Sequence, residues 1–270
     1  MPETIGFIGL GDLGAPIAAN LLAAGYPLRV FNRTAAKADA LVSQGAERAE
    51  GAADAASAGG ILVSLLWDDA SVEEVVSRGS LIERLGPGGV HVSMSTVSPE
   101  GSKKLAATHA AHGVQFVEAP VFGRPEAAVA RKLWIAVAGP EPAKARVRPL
   151  FDALGAQGVF DFGEQIGAAT TVKLVGNFLI ISAARSMSEA FALVAKGGFD
   201  PKPVAEMLTQ TLFPAPIYQT YGRIIASGAI AASQSDIPEK DLGLFAKTAR
   251  EVNSPTQIAD MLLEIVRAQA

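Results

Sequence analysis

The stretch "GFIGLGDLG", residues 6 to 14, places three glycines in the spacing G-x-G-x-x-G between a strand-like run and a helix-like run. In this setting Gly9 permits a tight turn, Gly11 lets the backbone approach a pyrophosphate, and Gly14 lets the helix pack closely on the strand. The N-terminus of such a helix faces the phosphates and stabilises their negative charge. The stretch therefore predicts a dinucleotide-binding βαβ unit rather than a glycine-rich turn without function.

Short β-type runs alternate with Ala-rich helical stretches through the first 160 residues, which is the pattern of a parallel sheet with helices on both faces. Strands are predicted at 4–9, 28–31, 60–66, 90–94, 114–118, 133–138 and 159–162. Helices are predicted at about 13–24, 35–44, 71–85, 98–112 and 141–153. The fold class is therefore α/β, with a doubly wound parallel sheet.

The second part of the chain reads differently, because β-type runs disappear after about residue 164. We predict a nucleotide-binding domain over 1–163 and an all-helical domain over 164–270. A helix at about 167–196 opens the second domain and carries no charge from Leu174 to Ala184. It is apolar all round there, so we expect a central, buried helix that a dimer would cover.

Composition limits the partners that the chain can bind. Of its 270 residues 49% are hydrophobic, the formal net charge is −4, and the pI is near 5.5, so Lys and Arg are not in excess. We therefore expect a small-molecule partner, with neither a nucleic acid nor a membrane surface as partner. The run from 174 to 184 is too short to span a bilayer, and no basic and apolar leader precedes the first strand.

The chain contains no cysteine, which fits a reducing compartment, and we predict a cytoplasmic location. Its three histidines, His91, His109 and His112, do not have the spacing of metal ligands. We therefore predict no metal.

The stretch "VFNRT", residues 30 to 34, ends the second predicted strand about 20 residues beyond the glycines, where an acid would bind both ribose hydroxyls of NAD. Here the positions hold Asn32, Arg33 and Thr34. A guanidinium forms charge-assisted bonds to a 2′-phosphate, whereas a carboxylate would repel it. We predict NADP as the cofactor in preference to NAD; the alternative is that Arg33 is a solvated surface residue.

Two polar side chains, Lys173 and Asn177, stand at the head of the charge-free stretch of this helix; they lie four residues apart and so share a face. Buried polar groups without partners cost several kcal/mol, so this amine and this amide need a partner or a task. The pattern by itself favours a structural pair and leaves a catalytic role open.

Five blocks of sequence resemble, in order and spacing, the β-hydroxyacid dehydrogenase family, which includes 3-hydroxyisobutyrate dehydrogenases and glyoxylate/succinic semialdehyde reductases. They are "GFIGLGDLGAPIAANL", "MSTVSP" (94–99), "FVEAPVFG" (116–123), "GAATTVKLVGN" (167–177) and "KDLGLF" (240–245). The resemblance implies a Rossmann-type domain, an all-helical C-terminal substrate and dimerisation domain, a reaction cleft between them, and a homodimer or homotetramer. "FNRT" is most similar to the NADP-using reductase branch.

The resemblance also implies roles for single residues. Lys173 would be the catalytic acid/base, Asn177 would orient the substrate or Lys173, Thr96 would lie near the nicotinamide ribose, and Lys240 would close over the cofactor. Two plainer readings stay open: Thr96 could cap the helix that follows it, and Lys240 could form an exposed ion pair with Asp241.

The predicted cofactor-binding residues are the glycine-rich loop, the ends of the neighbouring strands and Lys240. They are Gly9, Leu10, Gly11, Asp12, Leu13, Gly14, Asn32, Arg33, Thr34, Leu65, Leu66, Thr96 and Lys240. Trp67 follows Leu66. The sequence favours equally a Trp67 ring that contacts the cofactor and one that only packs against the protein.

The predicted substrate-binding residues depart from the family pattern. Family members usually carry Ser-Gly-Gly after "APV", whereas this chain has Phe122, Gly123 and Arg124. If Arg124 points inward, it would bind the carboxylate of a longer acid such as succinic semialdehyde, and if it points to solvent, Phe122 would favour apolar carbonyl compounds. We favour the inward orientation.

The sequence thus predicts an NADPH-dependent oxidoreductase that interconverts a small aldehyde or keto acid and its hydroxy acid. An imine reductase is one alternative, although such enzymes usually lack the lysine at position 173. A non-catalytic NADP-binding module is the other.

Overall fold

The computed structural model describes residues 2–77, 80–228 and 237–268. The chain divides into two compact units, Met1–Lys173 and Leu174–Ala270. The boundary predicted from the sequence, at 163/164, marks the end of the β-type runs.

The first unit is built on a six-stranded sheet in the order β3-β2-β1-β4-β5-β6, in which every neighbouring pair is parallel. Its strands are β1 (Ile5–Ile8), β2 (Leu28–Phe31), β3 (Glu47–Arg48), β4 (Ile61–Ser64), β5 (Val90–Ser93) and β6 (Gln115–Glu118). This confirms the predicted doubly wound sheet. The direction of strand order reverses between β1 and β4, which is where such sheets bind ligands.

Both faces of this sheet are covered by helices, and alternate residues of one strand enter opposite cores. Phe7 packs with Ile17 and Leu21 on one face, whereas Ile8 packs with Val72 and Leu105 on the other. The helices of this unit are α1 (Gly14–Ala23), α2 (Asp39–Ser43), α3 (Ala52–Ala55), α4 (Asp69–Ser77), α5 (Leu81–Leu85), α6 (Pro99–Ala110), α7 (Pro125–Val129) and α8 (Glu141–Leu154).

Several predicted boundaries were wrong. The helix predicted at 71–85 is two helices, α4 and α5, because Ser80 has a left-handed φ of 61° that no right-handed helix continues through. The helix predicted at 35–44 is a 3₁₀ turn at Ala35–Ala38 followed by α2. The short elements β3, α3 and α7 were not predicted, since so few residues produce no periodic pattern.

The last two predicted strands do not extend the parallel sheet. They form β8 (Leu133–Val137) and β9 (Ala156–Asp161), which join β7 (Val121–Phe122) in a separate three-stranded sheet. β8 runs parallel to β9 and antiparallel to β7. Pro120 has no N–H to donate to a ladder, so β6 ends before it and the chain turns into β7.

The second unit contains only helices and loops in its described residues, as predicted. A long helix, α9 (Ala168–Lys196), begins in the first unit and crosses the boundary, and α10 (Pro201–Gln210), α11 (Pro216–Ala226), α12 (Ile237–Glu251) and α13 (Gln257–Arg267) follow it. Within this unit Phe178 and Ile181 pack against α12 and α13. Met187 and Phe191 pack against α10 and α11.

The prediction that α9 is buried was wrong for the single chain. Its side chains Val175, Leu179 and Leu193 are 43%, 58% and 76% exposed, because the remaining helices of this unit cover only part of its surface. By length and composition α9 could also cross a membrane, so the expectation drawn from the shorter run 174–184 was incomplete. The core helix of an ordinary globular protein meets the same criterion.

A buried pair of histidines links β5 to α6. Ser64 Oγ lies 2.8 Å from His91 Nε2, His91 Nδ1 lies 2.8 Å from His109 Nε2, and His109 Nδ1 lies 2.7 Å from the Leu105 carbonyl oxygen. A carbonyl only accepts, so His109 donates to Leu105. With both rings neutral, as burial favours, His91 donates to His109 and Ser64 donates to His91. Burial lowers the pKa of His91 and of His109.

We predict that the free energy of unfolding falls as the pH drops below about 6.5, the pKa of histidine in an unfolded chain. There the unfolded chain binds protons that the buried rings do not, so stability is complete above this pH and is lost below it. Each histidine contributes up to about 1.4 kcal/mol per pH unit. Urea unfolding between about pH 7.5 and pH 5.5 measures this slope.

His112, whose side chain is 38% exposed, provides the matched control. His112→Gln should keep the slope of the unaltered protein, whereas His91→Asn should reduce it. Stability that stays constant over this pH range, or an unchanged slope in His91→Asn, contradicts the prediction.

Candidate active site

The candidate site lies along one edge of the parallel sheet. Because parallel strands end on the same side, the residues that follow β2, β1, β4, β5 and β6 meet at this edge. Asn32, Gly9, Leu65, Met94 and Ala119 are the first residues after these strands. Five neighbouring strands span about 19 Å, which is long enough for an extended ligand.

The glycine-rich loop combines close packing with open space. Gly9 has a φ of 98°, and a Cβ there would lie 2.1 Å from the Leu65 carbonyl oxygen. A Cβ on Gly14 would lie 1.9 Å from the Gly9 carbonyl oxygen, so α1 starts directly on the end of β1. A Cβ on Gly11 would have no atom within 4 Å. The backbone at Gly11 is therefore open to a ligand, as the binding of a pyrophosphate requires.

The N-terminus of α1 also fits an anion. Within α1, all of whose residues are described, the first turn carries no acidic residue, and Leu13 caps it without a side-chain hydrogen bond. The Ala15 N–H donates to the Gly11 carbonyl at 3.0 Å and Pro16 has no N–H, so the partial positive charge of the helix N-terminus is presented to a ligand around Leu13 and Gly14. Asp12 is exposed beside this turn, and Leu13 packs against the core of the unit. Together with the open backbone at Gly11, these features fit the phosphates of a dinucleotide.

The structure brings Asn32 to the glycine-rich loop. Its Oδ1 accepts a hydrogen bond of 2.9 Å from the Leu10 N–H, and its Nδ2 donates one of 3.0 Å to the Thr34 carbonyl. Asn32 therefore holds the loop and the end of β2 together through its side chain. Arg33 and Thr34 follow and are exposed.

The ends of β4 and β5 are joined in a similar way. Ser95 Oγ accepts a hydrogen bond of 2.8 Å from the Leu66 N–H, which places the half-buried Thr96 beside this link. Helix α6 is capped by Ser98, whose Oγ accepts a 2.9 Å bond from the Gly101 N–H. The reading of Thr96 as the helix cap was therefore wrong. Trp67 is 47% exposed.

Lys173 is a buried amine on α9. Its Nζ lies 4.4 Å from the centroid of the Phe122 ring, a cation–π contact. The next residue, Gly123, has a φ of 146°, and a Cβ there would lie 2.6 Å from Leu133 Cδ2. Arg124 is half exposed, and its Nε lies 3.3 Å from Glu126 Oε2. Of the three predicted substrate residues, Phe122 contacts Lys173.

In the second unit Asn177 and Lys240 share a partner, Asp241, which the sequence predicted only as an exposed partner of Lys240. Asn177 Nδ2 donates a 2.6 Å hydrogen bond to Asp241 Oδ2, and Lys240 Nζ lies 3.0 Å from Asp241 Oδ1. Asp241 is buried, so the reading of this ion pair as an exposed one was wrong. The acidic residue inside the block "KDLGLF" was the sequence feature that could have indicated this buried partner.

Glu118 is the second residue that the sequence analysis missed. It ends β6 as a buried carboxylate that accepts hydrogen bonds from the N–H groups of Gly167 and Ala169 and from Thr170 Oγ1. Burial raises the pKa of this carboxyl, and these hydrogen bonds partly oppose the rise. An acid at the end of the apolar run "VQFVE" was the signal.

No group of His, Asp and Glu side chains suited to a metal ion occurs within 2–77, 80–228 and 237–268.

Comparison with known proteins identifies the family. The domain described as "NAD binding domain of 6-phosphogluconate dehydrogenase" matches residues 4–170, and "NAD-binding of NADP-dependent 3-hydroxyisobutyrate dehydrogenase" matches residues 167–270. The chain belongs to the β-hydroxyacid dehydrogenase family. It is thus an oxidoreductase, an NAD(P)-dependent dehydrogenase or reductase of hydroxy acids.

Relatives of the chain include an uncharacterized oxidoreductase and dehydrogenases with named substrates. The uncharacterized oxidoreductase YfjR of Bacillus subtilis is 41% identical over 95% of this chain and 90% of its own length. The NAD-dependent L-serine dehydrogenase of Pseudomonas aeruginosa is 31% identical over 98% of this chain and 91% of its own. The crystal structure of 3-hydroxyisobutyrate dehydrogenase from Salmonella typhimurium matches with a TM-score of 0.87 and 27% identity, covering 98% of this chain and 93% of that one.

We predict that alanine substitutions distinguish the packing role of Gly14 from the ligand-binding role of Gly11. Gly14→Ala should lower the midpoint of thermal unfolding by several degrees, since overpacking costs about 1–3 kcal/mol. Gly11→Ala should leave this midpoint unchanged and weaken dinucleotide binding about ten-fold or more, because its methyl group enters the open space. Thermal unfolding and calorimetric titration with NADPH measure both effects. Equal effects of the two substitutions on stability and on binding contradict this assignment.

Proposed function

We propose that this family member is an NADPH-dependent reductase of small aldehyde or keto acids, with Lys173 as its acid/base. The observation that carries the proposal is the buried Lys173 ammonium, held against the Phe122 ring in the unit that also presents the glycine-rich loop. The contact with the ring places the amine at a defined position. Proton transfer to a substrate oxygen is a task that suits an amine.

Lys173 works on the oxygen of the substrate. NADP, when bound, supplies or accepts the hydride at the carbon. During reduction the Lys173 ammonium donates its proton to the carbonyl oxygen as negative charge develops there. During oxidation the neutral amine takes the hydroxyl proton back. The Phe122 ring keeps water from one side of the ammonium and stabilises its charge.

Three further residues keep the roles that family similarity implies. Asn177 orients the substrate or Lys173, and its bond to Asp241 restricts the rotation of its amide. Thr96 contacts the cofactor from the end of β5. Lys240 contacts the cofactor, with its ammonium paired to the buried Asp241.

The preference for NADP over NAD rests on Arg33. Arg33 follows Asn32, whose side chain is bonded to the glycine-rich loop, so the backbone of Arg33 lies next to that loop. We propose that it binds the 2′-phosphate, with Thr34 beside it.

We also propose a homodimer or homotetramer in which a second copy covers the exposed apolar face of α9. The support is the exposure of Val175, Leu179 and Leu193 on a helix without charge from Leu174 to Ala184. The cytoplasmic location and the lack of nucleic-acid and membrane partners rest on composition and stay predictions.

Lys173→Ala tests the function. We predict a loss of kcat of about 10²- to 10⁴-fold, the usual contribution of acid/base catalysis. The measurement is NADPH oxidation with succinic semialdehyde, glyoxylate and a cyclic imine. The exposed Lys247→Ala is the matched control and should keep full activity.

Turnover of the cyclic imine alone favours the imine reductase. NADPH binding with no turnover of any carbonyl compound or imine favours the non-catalytic module. Full activity of Lys173→Ala on each active substrate excludes the mechanism.

Arg33→Asp tests the cofactor preference. We predict that the unaltered protein uses NADPH with a much higher kcat/KM than NADH and that Arg33→Asp abolishes or reverses this ratio. Arg33→Lys keeps the charge but loses the bidentate fork, so it should give an intermediate ratio. Equal kcat/KM with both cofactors in the unaltered protein removes Arg33 from this role.

Arg124→Gly tests the substrate anchor. The exposed ion pair with Glu126 contributes little, so Arg124 can exchange it at small cost for a substrate carboxylate. We predict a selective loss on succinic semialdehyde of about 1.5–3 kcal/mol in transition-state binding, relative to a neutral aldehyde of similar length. Glu126→Gln is the control and should not discriminate between the two substrates. An equal response of Arg124→Gly on both removes Arg124 from the site.

A further inference from the structure

Glu118 makes three hydrogen bonds to the start of α9. Its Oε1 accepts from the Gly167 N–H at 2.9 Å and from Thr170 Oγ1 at 3.0 Å, and its Oε2 accepts from the Ala169 N–H at 3.2 Å. The first N–H groups of a helix have no partner within the helix, so a carboxylate there satisfies them and favours the helix dipole. Glu118 thus acts as the cap of a helix that begins 50 residues later in the chain.

The backbone of Glu118 is itself fixed on both sides. In the parallel sheet Glu118 pairs with Ser93 of β5. On its other side its N–H donates to the Ala138 carbonyl at 2.9 Å, and its carbonyl accepts from the Ala138 N–H at 3.1 Å. The carboxylate is therefore attached to a backbone that is paired on both sides.

Lys173 lies on the same face of α9 as the groups that Glu118 binds. It follows Ala169 by four residues and Thr170 by three, so the three side chains stack on one side of the helix. Ala169 packs against Ala136 and Ala138, small residues that let the helix approach β8 closely. Three bonds from different directions set the height and the rotation of the first turn. Lys173 follows one turn further, about 5.4 Å along the axis.

The same short segment of chain also reaches the ammonium. Phe122 follows Glu118 by four residues, and its ring lies 4.4 Å from Lys173 Nζ. The segment from Glu118 to Phe122 therefore holds both the beginning of the helix and the charged end of the lysine.

We propose that Glu118 is the positioning residue for Lys173, because its carboxylate fixes the first turn of α9 and so places the ammonium beside Phe122 of β7. This inference rests on the proposed function, in which Lys173 is the acid/base. Glu118 does not exchange a proton with the substrate. It acts only through the position of Lys173.

The test is a double-mutant cycle between Glu118→Gln and Lys173→Ala, measured as single-turnover rates of NADPH oxidation with the best substrate. The glutamine turns an NH₂ group toward an N–H donor, so it cannot reproduce the three bonds. In the unaltered background we expect a loss of rate of about 10- to 100-fold, with the KM for NADPH nearly unchanged. In the Lys173→Ala background Glu118→Gln should cause no further loss.

Thr170 and Asp200 supply companion variants. Thr170→Val removes one of the three bonds and Thr170→Ser keeps it, so the first should show a smaller loss of rate and the second none. If Glu118→Gln does not fold, the same cycle is run with Thr170→Val. Asp200 caps α10 with a 3.0 Å bond from the Lys202 N–H, so Asp200→Ala removes a capping carboxylate elsewhere and should not change the rate.

The outcomes separate this inference from the function on which it rests. Loss of rate only when Lys173 is present supports the positioning role. The same factor lost in both backgrounds, or no loss in a folded Glu118→Gln or Thr170→Val variant, overturns it. Full activity of Lys173→Ala by itself overturns the proposed function instead.

Discussion

Gly14 lies so close to Gly9 that a Cβ on Gly14 would stand 1.9 Å from the Gly9 carbonyl oxygen. This contact lets α1 begin directly where β1 ends, and the position of the helix N-terminus at the sheet edge depends on it. Asn32 adds the end of β2 to the same loop through its bond to Leu10. The edge then continues through β4 and β5 to β6, where Glu118 binds the start of α9. One sheet thus carries the glycine-rich loop at the end of β1 and, through Glu118, the beginning of the helix that holds Lys173.

The sequence predicted those parts of the fold that produce a repeated or chemically distinct signal. Six of the seven predicted strands lie within two residues of the observed ones, because runs of apolar residues bounded by glycine and proline are specific. The separate sheet of β7, β8 and β9 was missed, since pairing partners are set by tertiary contacts such as the Glu118–Ala138 bridge and not by the local pattern. The exposure of α9 was missed for a related reason, because an apolar helix reads the same whether its own chain or a second copy covers it.

At the candidate site the sequence motifs identified the proposed catalytic and cofactor-binding side chains. They did not identify the carboxylates that hydrogen-bond to these residues or to the helix that carries them. Lys173, Asn177 and Lys240 stand in recognisable blocks, whereas the bonds of Glu118 to the start of α9 and of Asp241 to Asn177 became evident only in the fold. These hydrogen bonds join residues 49 to 52 positions apart for Glu118 and 64 positions apart for Asp241, separations at which spacing carries no information. The same limit explains Thr96, because the choice of Ser98 as the cap of α6 depends on which hydroxyl reaches the Gly101 N–H.

The most direct measurement is the transfer of deuterium from NADPH labelled at C4 of the nicotinamide, on either face, to a substrate such as succinic semialdehyde. If the sheet edge holds the dinucleotide and Lys173 protonates the oxygen, deuterium from one face must appear at the former carbonyl carbon. The single-turnover rate with that label should show a primary isotope effect. Product that carries no deuterium from either face would contradict direct hydride transfer and with it the function assigned to this site.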